Sequence, residues 1–279
     1  MPTKEELKRR ACQAIDRRRD ELIGIARDIL EHPETGFNEH RTAKIVKDNF
    51  KAMGLPYSEG LAITGVKGQV DFGAGPGPKL AIIGELDSLV VTEHPHADSE
   101  TGAAHACGHN CQIGMMLGAT LGLLDDGIKP HLAGSLVPFA VPAEEFIDVE
   151  GRLRMREEGK LEFLGGKQEL IRIGAFDDVQ MAMMCHTASD MGEQSFSVGG
   201  TSNGHMVKYV EYIGRAAHAG GAPHLGINAL NAATWALNAI HANRETVREN
   251  ETGRFHGIVT KGGEAVSYTH LTLPTKRIV

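Results

Sequence analysis

The stretch His105-Ala106-Cys107-Gly108-His109-Asn110-Cys111 sets two imidazoles and two thiols within seven residues, and the apolar run Ile113 to Leu124 follows directly. A thiolate and an imidazole two residues apart can grip one metal ion. Gly108 between them lets the backbone turn both side chains to the same side. The run that follows (Met115, Met116, Leu117, Ala119, Leu121, Leu123, Leu124) is long enough for a buried helix. The ligands would then sit at a loop-to-helix junction. The same residues also suit a disulfide between Cys107 and Cys111, or two small core residues beside a surface histidine.

Working outward, Leu80 to Ile83 reads as a short buried strand, and Glu85-Leu86-Asp87-Ser88-Leu89 follows at its carboxyl end. Open α/β sheets place their chemistry at such ends. A polar loop from Val90 to Ala104, with His94 and His96, delivers the chain to the central stretch. The apolar helix is expected to run to Asp126, and a strand from Gly134 to Val141 ends in Pro142-Ala143-Glu144-Glu145-Phe146. Successive carboxylates there can point apart, one toward a metal and one toward a water; alone they read more simply as an exposed acidic turn. Val179 to Cys185 is a third apolar strand and ends at His186. Three strand ends with ligand-type residues make a constellation: Asp87, then Cys107 and His109, then Glu145, then His186.

The flanks fill in an α/β chain. Residues 4 to 31 read as one helix, with Leu22, Ala26, Ile29 and Leu30 on one face and His32-Pro33 as its stop. A second helix from Glu39 to Met53 carries Ala43, Val46, Phe50 and Met53 and stops at Gly54. Val66, Gly68, Val70 and Phe72 alternate like a strand. Gly73-Ala74-Gly75-Pro76-Gly77-Pro78 is expected to be a hairpin connection to the next strand; its prolines and the strand after it do not suit a phosphate loop. Residues 147 to 167 read as a loop over the site, and Gln168 to Ile173 as a short helix. After His186 the character changes. Ser189 to Gly204 reads as a small-residue linker, Met206 to Ile213 as a strand, Gly226 to Asn243 as a helix, and Arg254 to Lys261 as a second strand. Trp235 on that helix reads as packing core.

The totals exclude several classes. A net charge of −7 with no basic cluster argues against nucleic acid as a partner. Four cysteines in 279 residues are too few for a secreted disulfide scaffold. Met1 to Glu21 is charged throughout and lacks the apolar core of a signal peptide. No apolar run is long enough to span a bilayer, so the expectation is a cytoplasmic protein without a membrane partner.

Taken together, Gly84-Glu85-Leu86-Asp87-Ser88-Leu89, His105-Ala106-Cys107-Gly108-His109-Asn110, Pro142-Ala143-Glu144-Glu145 and Cys185-His186 resemble, in this order, the metal-dependent amidohydrolases. That family includes aminoacylase, carboxypeptidase G and the indole-acetyl-amino-acid hydrolases. The branch with aminobenzoyl-glutamate hydrolase is similar in Gly84 to Leu89, in the Asn after Cys-Gly-His, and in Gly165-Gly166-Lys167 through Phe176-Asp177-Asp178. The resemblance runs from about Ile25 to Val266. It implies a mixed-sheet, zinc-peptidase-like catalytic domain with helices on both faces (1–194). It also implies an inserted α+β lid and dimerisation domain of βαββαβ, ferredoxin-like type, whose first half is 195–266. Cys107, His109, Glu145 and His186 match metal ligands, Glu144 the general base, and Asp87 an acidic residue that orients a ligand. Gly214-Arg215-Ala216-Ala217-His218-Ala219 and Pro223-His224-Leu225-Gly226 match the lid signature, in which the histidine at His218 helps bind the reacting substrate, often in the partner subunit.

The implied cofactor is one or two divalent ions, zinc by its liking for thiolate with imidazole and carboxylate, with manganese as the alternative. The implied reaction is hydrolysis of a small N-acyl amino acid or dipeptide by a homodimer. Glu144 would take a proton from a metal-activated water and return it to the leaving amine. Two other readings make different expectations: a non-catalytic zinc-binding homologue would not need Glu144, and a thiol redox protein would use Cys107 and Cys111 without metal. Past Val266 the resemblance stops. Residues 267–279 read as a non-native tail, of the kind translated from sequencing-adapter DNA. The chain as written is therefore expected to hold half a lid, to lack a final histidine ligand, and to be inactive.

Overall fold

A computed structural model describes residues 1–188, 192, 196–199, 204, 206–218, 220–248 and 253–262. The chain divides into two compact units, Met1–Gly192 and Glu193–Val279.

The first unit is built on a mixed sheet. Its strands are β1 (Tyr57–Leu61), β2 (Gly65–Gly68), β3 (Val70–Asp71), β4 (Lys79–Glu85), β7 (Ser135–Val141) and β8 (Met181–Met184), in the order β1-β2-β7-β4-β8, with β3 also paired to β7. A separate two-stranded ribbon joins β5 (Leu89–Val90) to β6 (Ala103–Ala104). The pairs β4–β7 and β4–β8 are parallel, whereas β1–β2, β2–β7 and β3–β7 are antiparallel. Side chains of a strand alternate between faces, and β7 shows it. Leu136 and Ala140 enter one core with helices α2 (Arg19–Glu31), α3 (His40–Ala52) and α4 (His109–Leu123). Val137, Phe139 and Val141 enter the other, with Phe37, Leu161 and Leu170. Helices thus cover both faces of a mixed sheet, as expected. The sheet is not alternating in polarity because its central strands are buried on both sides.

Several local expectations are corrected. The helix over 4–31 is two, α1 (Lys4–Arg17) and α2, parted at Arg18 (φ −111°, ψ 14°). Residues 16–21 are all exposed, so no packing holds a continuous helix through the three arginines there. The strand expected through Val66 to Phe72 is interrupted between β2 and β3. Gly73 to Pro78 is not a hairpin, because β7 lies between β3 and β4. That loop instead grips the chain entering β7, through Gly73 N–H to Lys129 O at 3.1 Å and Gly134 N–H to Gly75 O at 3.0 Å. The expected loop over 147–167 contains helix α5 (Val149–Glu157), capped by the Asp148 side chain on Gly151 N–H. Helix α6 (Gly166–Arg172) starts two residues before the expected one.

In the second unit α7 (Ala229–Ala242) stands where a helix was expected, with the Asn228 side chain capping Asn231 N–H. The expected strands over Met206 to Ile213 and Arg254 to Lys261 are not formed among the described residues. A single antiparallel bridge, Arg215 with Ile227, is present instead. Apolar alternation shapes a side-chain pattern, but a strand exists only when a neighbour completes its ladder. Trp235 is 75 % exposed and so is not packing core; among the described residues α7 has no sheet behind it, and it buries only Ala229. The linker core, most of 189–203, and the tail over 263–279 lie outside the described residues. No helix among the described residues is long and apolar enough to cross a membrane.

Candidate metal centre

Because β7, β4 and β8 are adjacent and parallel, their carboxyl ends lie along one edge of the sheet. β4 ends in Glu85 and leads to Asp87, β7 leads to Glu144 and Glu145, and β8 leads to Cys185 and His186. The start of α4 brings Cys107 and His109 to the same edge. Gly108 caps that helix at φ 84°, a conformation that suits glycine, and a Cβ there would fall 2.3 Å from Thr187 Oγ1. Thr187 in turn donates its hydroxyl to Cys107 O at 2.9 Å, tying the β8 end to the start of α4.

The ligand atoms of Cys107, His109 and His186 all lie within 4.8 Å of one another, and Cys107 Sγ is 3.3 Å from His186 Nε2. His109 is 1 % exposed, and its Nδ1 donates to the backbone carbonyl of Asp87 at 2.8 Å. That bond commits Nδ1 as a donor, so Nε2 is the nitrogen left to take a second proton or a metal ion. Nε2 has Glu85 Oε2 at 3.0 Å and Glu144 and Glu145 oxygens at 3.9 Å. It makes no hydrogen bond despite being buried. A buried, unbonded imidazole nitrogen beside a thiol and a second imidazole fits a divalent ion. Asp87, fully buried, accepts the N–H of Glu145 on its Oδ2 at 2.9 Å. It thus touches two of the expected ligands, one through its carbonyl and one through its carboxylate.

The pair Glu144-Glu145 follows a strained corner. Ala143 has φ 45°, in the left-handed region that costs a non-glycine residue roughly 1–2 kcal/mol. Two contacts hold it: its N–H donates to buried Glu39 Oε1 at 2.8 Å, and its carbonyl accepts Gly166 N–H at 2.9 Å. Glu39 Oε2 also accepts the Thr64 hydroxyl at 2.6 Å.

The electrostatics favour a cation at this edge. Burial opposes charge on His109, but Asp87 and Glu85 outweigh it and raise its pKa to about 11. The surroundings that would hold a proton there would equally hold a metal ion. Burial, with Glu145 and Glu144, pushes the Cys107 thiol up to about 11, so an ion must displace that proton to bind. Burial and the charge of Glu85 raise the Glu144 carboxyl, while Lys167 partly offsets them. All four cysteines are free thiols, and Cys111 is exposed, so the alternative Cys107–Cys111 disulfide is not formed.

Three groups at the edge were not among the site residues expected from the sequence. Glu85 pairs with Lys167 and accepts Gln112 Nε2 at 2.8 Å. His105 is buried with both ring nitrogens unbonded, and burial lowers its pKa to about 4. Arg152 is buried over the Phe37 ring at 5.2 Å and donates to Leu164 O. The sequence signal for Glu85 was its place at the end of β4; its partners lie 27 and 82 residues away. In the second unit, His218 Nδ1 accepts the N–H groups of Gly220 and Gly221 at 3.1 and 2.8 Å, which fixes the ring within its turn.

No protein-family model matches the chain. Among curated proteins, it is 37 % identical over 145 residues to an IAA-amino acid hydrolase of Arabidopsis thaliana, spanning 51 % of this chain and 32 % of that protein. It is 29 % identical over 272 residues to the Xaa-Arg dipeptidase of Mus musculus, spanning 93 % of this chain and 54 % of that protein. The chain thus spans about half or less of the length of these relatives. Among solved structures, the aminobenzoyl-glutamate utilization protein from Klebsiella pneumoniae aligns with a TM-score of 0.55 at 21 % identity, covering 87 % of this chain and 61 % of that one, a likeness of fold. In sequence the chain is similar to members of the metal-dependent amidohydrolase and metallopeptidase family, and its fold agrees.

Proposed function

We propose that this chain carries the metal centre of a hydrolase that cleaves amide bonds in small N-acyl amino acids or dipeptides, with aminobenzoyl-glutamate-like conjugates among the candidate substrates. The observation that carries the reading is the meeting of Cys107, His109 and His186 beside Glu144-Glu145 at one sheet edge. In this reading Cys107, His109, Glu145 and His186 hold the ion. When bound, a divalent ion supplies acidity to a water and steadies negative charge on the amide oxygen. Zinc suits a set containing a thiolate, with manganese as the alternative and one or two ions as the range. Glu144 takes a proton from the attacking water and returns it to the amide nitrogen, which leaves poorly unless protonated. Its raised pKa supports the base step, because a more basic carboxylate takes the water's proton more readily. Asp87 positions His109 and Glu145. His218, by its lid motif, helps bind the tetrahedral intermediate, often of the partner subunit, and the second unit serves dimerisation. A homodimer and a cytoplasmic setting belong to the same reading.

The relatives' printed names, an IAA-amino acid hydrolase and a dipeptidase, support amide hydrolysis as the reaction class. The test is a panel of N-acyl amino acids and dipeptides, aminobenzoyl-glutamate included, given to the metal-loaded full-length protein and its Glu144→Gln variant. The variant should keep its metal and lose turnover by roughly a hundredfold or more. Turnover near wild type in that variant would remove Glu144 as the base.

A further inference from the structure

Helix α5 buries one residue, and that residue is a cation: Arg152 is 2 % exposed, while its helix neighbours are half-buried or exposed. Its guanidinium lies over the Phe37 ring at 5.2 Å, and Nη1 donates to Leu164 O at 2.9 Å. Nε and Nη2 are buried without a hydrogen bond. At Gly36 a Cβ would overlap Arg152 Nη2 and fall 2.9 Å from Ala143 Cα. The glycine therefore lets Arg152 and the strained corner at Ala143 close on the same stretch of backbone. Phe37 (φ 66°), Ala143 (φ 45°) and Asp148 (φ 47°) are all in the left-handed region without being glycine. Ala143 and Asp148 bracket the turn that carries Glu144 and Glu145. Arg152 touches its far end too, donating its backbone N–H to Asp148 O at 3.0 Å.

A buried guanidinium with two unbonded nitrogens is costly, and an apolar side chain would fill the same place at less cost. The carboxylates around it supply the reason for a charge. Burial works against the cation, and Asp87, Glu39, Asp148 and Glu145 work for it. Asp87 and Glu39 are fully buried, and each holds part of the turn: Asp87 accepts Glu145 N–H and Glu39 accepts Ala143 N–H. Asp87 Oδ1 is itself buried without a hydrogen bond. Lys167, the other cation nearby, is taken by Glu85. A flat guanidinium also stacks on Phe37 as an ammonium would not. We propose that Arg152 is a positioning residue of the metal centre: its guanidinium braces the 143–148 turn from beneath and so holds the Glu145 carboxylate 3.9 Å from His109 Nε2. This rests on the metal-centre reading above, in which Glu145 is a ligand.

The test is a double-mutant cycle on the zinc affinity of this chain, read by competition with a chromophoric chelator, with folding followed by circular dichroism. Loss of a positive charge near a cation site would by itself raise affinity, so a fall reports position. Arg152→Met should lower zinc affinity by roughly tenfold to a hundredfold. Arg152→Gln is read in the same way should the methionine variant not fold. Glu145→Gln should also bind zinc more weakly, and in that background the Arg152 substitution should change affinity by about twofold at most. Unchanged or raised affinity in the folded Arg152 variant, or an equal loss with and without Glu145, overturns the role of Arg152 and leaves the metal-centre reading standing. Affinity unchanged by Glu145→Gln, or a wild type that binds no zinc, overturns that reading and this inference with it.

Discussion

Glu39 couples the strained corner before the glutamate pair to pH, and replacing it with glutamine should flatten the stability profile near neutrality. The Glu39 carboxyl is fully buried. Burial, then the charge of Asp87, raise its pKa from 4.5 to about 7, although hydrogen bonds from Thr64 and Ala143 pull the other way. The folded state therefore holds the proton between about pH 4.5 and 7, where the unfolded chain has lost it. Stability from this group is fully present below 4.5, falls as pH rises through that window, and levels off above 7. Two and a half pH units at roughly 1.4 kcal/mol each give a loss of about 3.5 kcal/mol, of which about 3 kcal/mol falls above pH 5. Glutamine does not titrate. Its oxygen can still accept Ala143 N–H, and its amide can donate to the Thr64 hydroxyl, which also accepts. Urea unfolding of the metal-free protein at pH 5 and pH 8 reads the difference. The Glu39→Gln protein should gain about 3 kcal/mol on the wild type across that interval. Parallel pH profiles for the two proteins would refute the reasoning.

Two other perturbations probe the centre and the second unit. Gly108→Ala forces a left-handed φ on alanine and drives a methyl into Thr187, so it should destabilise the fold by about 2 kcal/mol or more and weaken metal affinity at least tenfold; unchanged affinity would mean that the start of α4 does not set the ligands. His218→Ala in the full-length protein should lower kcat with metal content unchanged, because a contact made mainly in the transition state is lost; a fall in metal content alone would count against it.

The positions of the candidate ligands were legible because apolar strands end where the chemistry sits. β4, β7 and β8 are short runs of apolar residues, and each hands over to a carboxylate or a histidine. What the sequence hid was non-local. Nothing in Gly73 to Pro78 announces that β7, more than sixty residues on, will lie between β3 and β4. The Lys167–Glu85 pair spans 82 residues and appears only once α6 packs on Pro142. Helix α5 was missed because its residues are charged and Arg152, its buried side chain, is not apolar; Asp148 three residues before Gly151 was the available capping signal. β1 was missed because its residues are mostly exposed and do not alternate. In the second unit the apolar pattern over Met206 to Ile213 exists without a ladder, so a pattern-based reading overshoots there.

The central claim is that Cys107 and His109 hold a metal ion together with His186 and Glu145. X-ray absorption at the zinc edge of the zinc-loaded protein tests it most directly, by comparing the wild type with Cys107→Ser. The account expects one sulfur at about 2.3 Å beside nitrogen and oxygen neighbours in the wild type, and its loss in the variant. A shell of nitrogen and oxygen alone in the wild type, or a sulfur that survives the substitution, would contradict it.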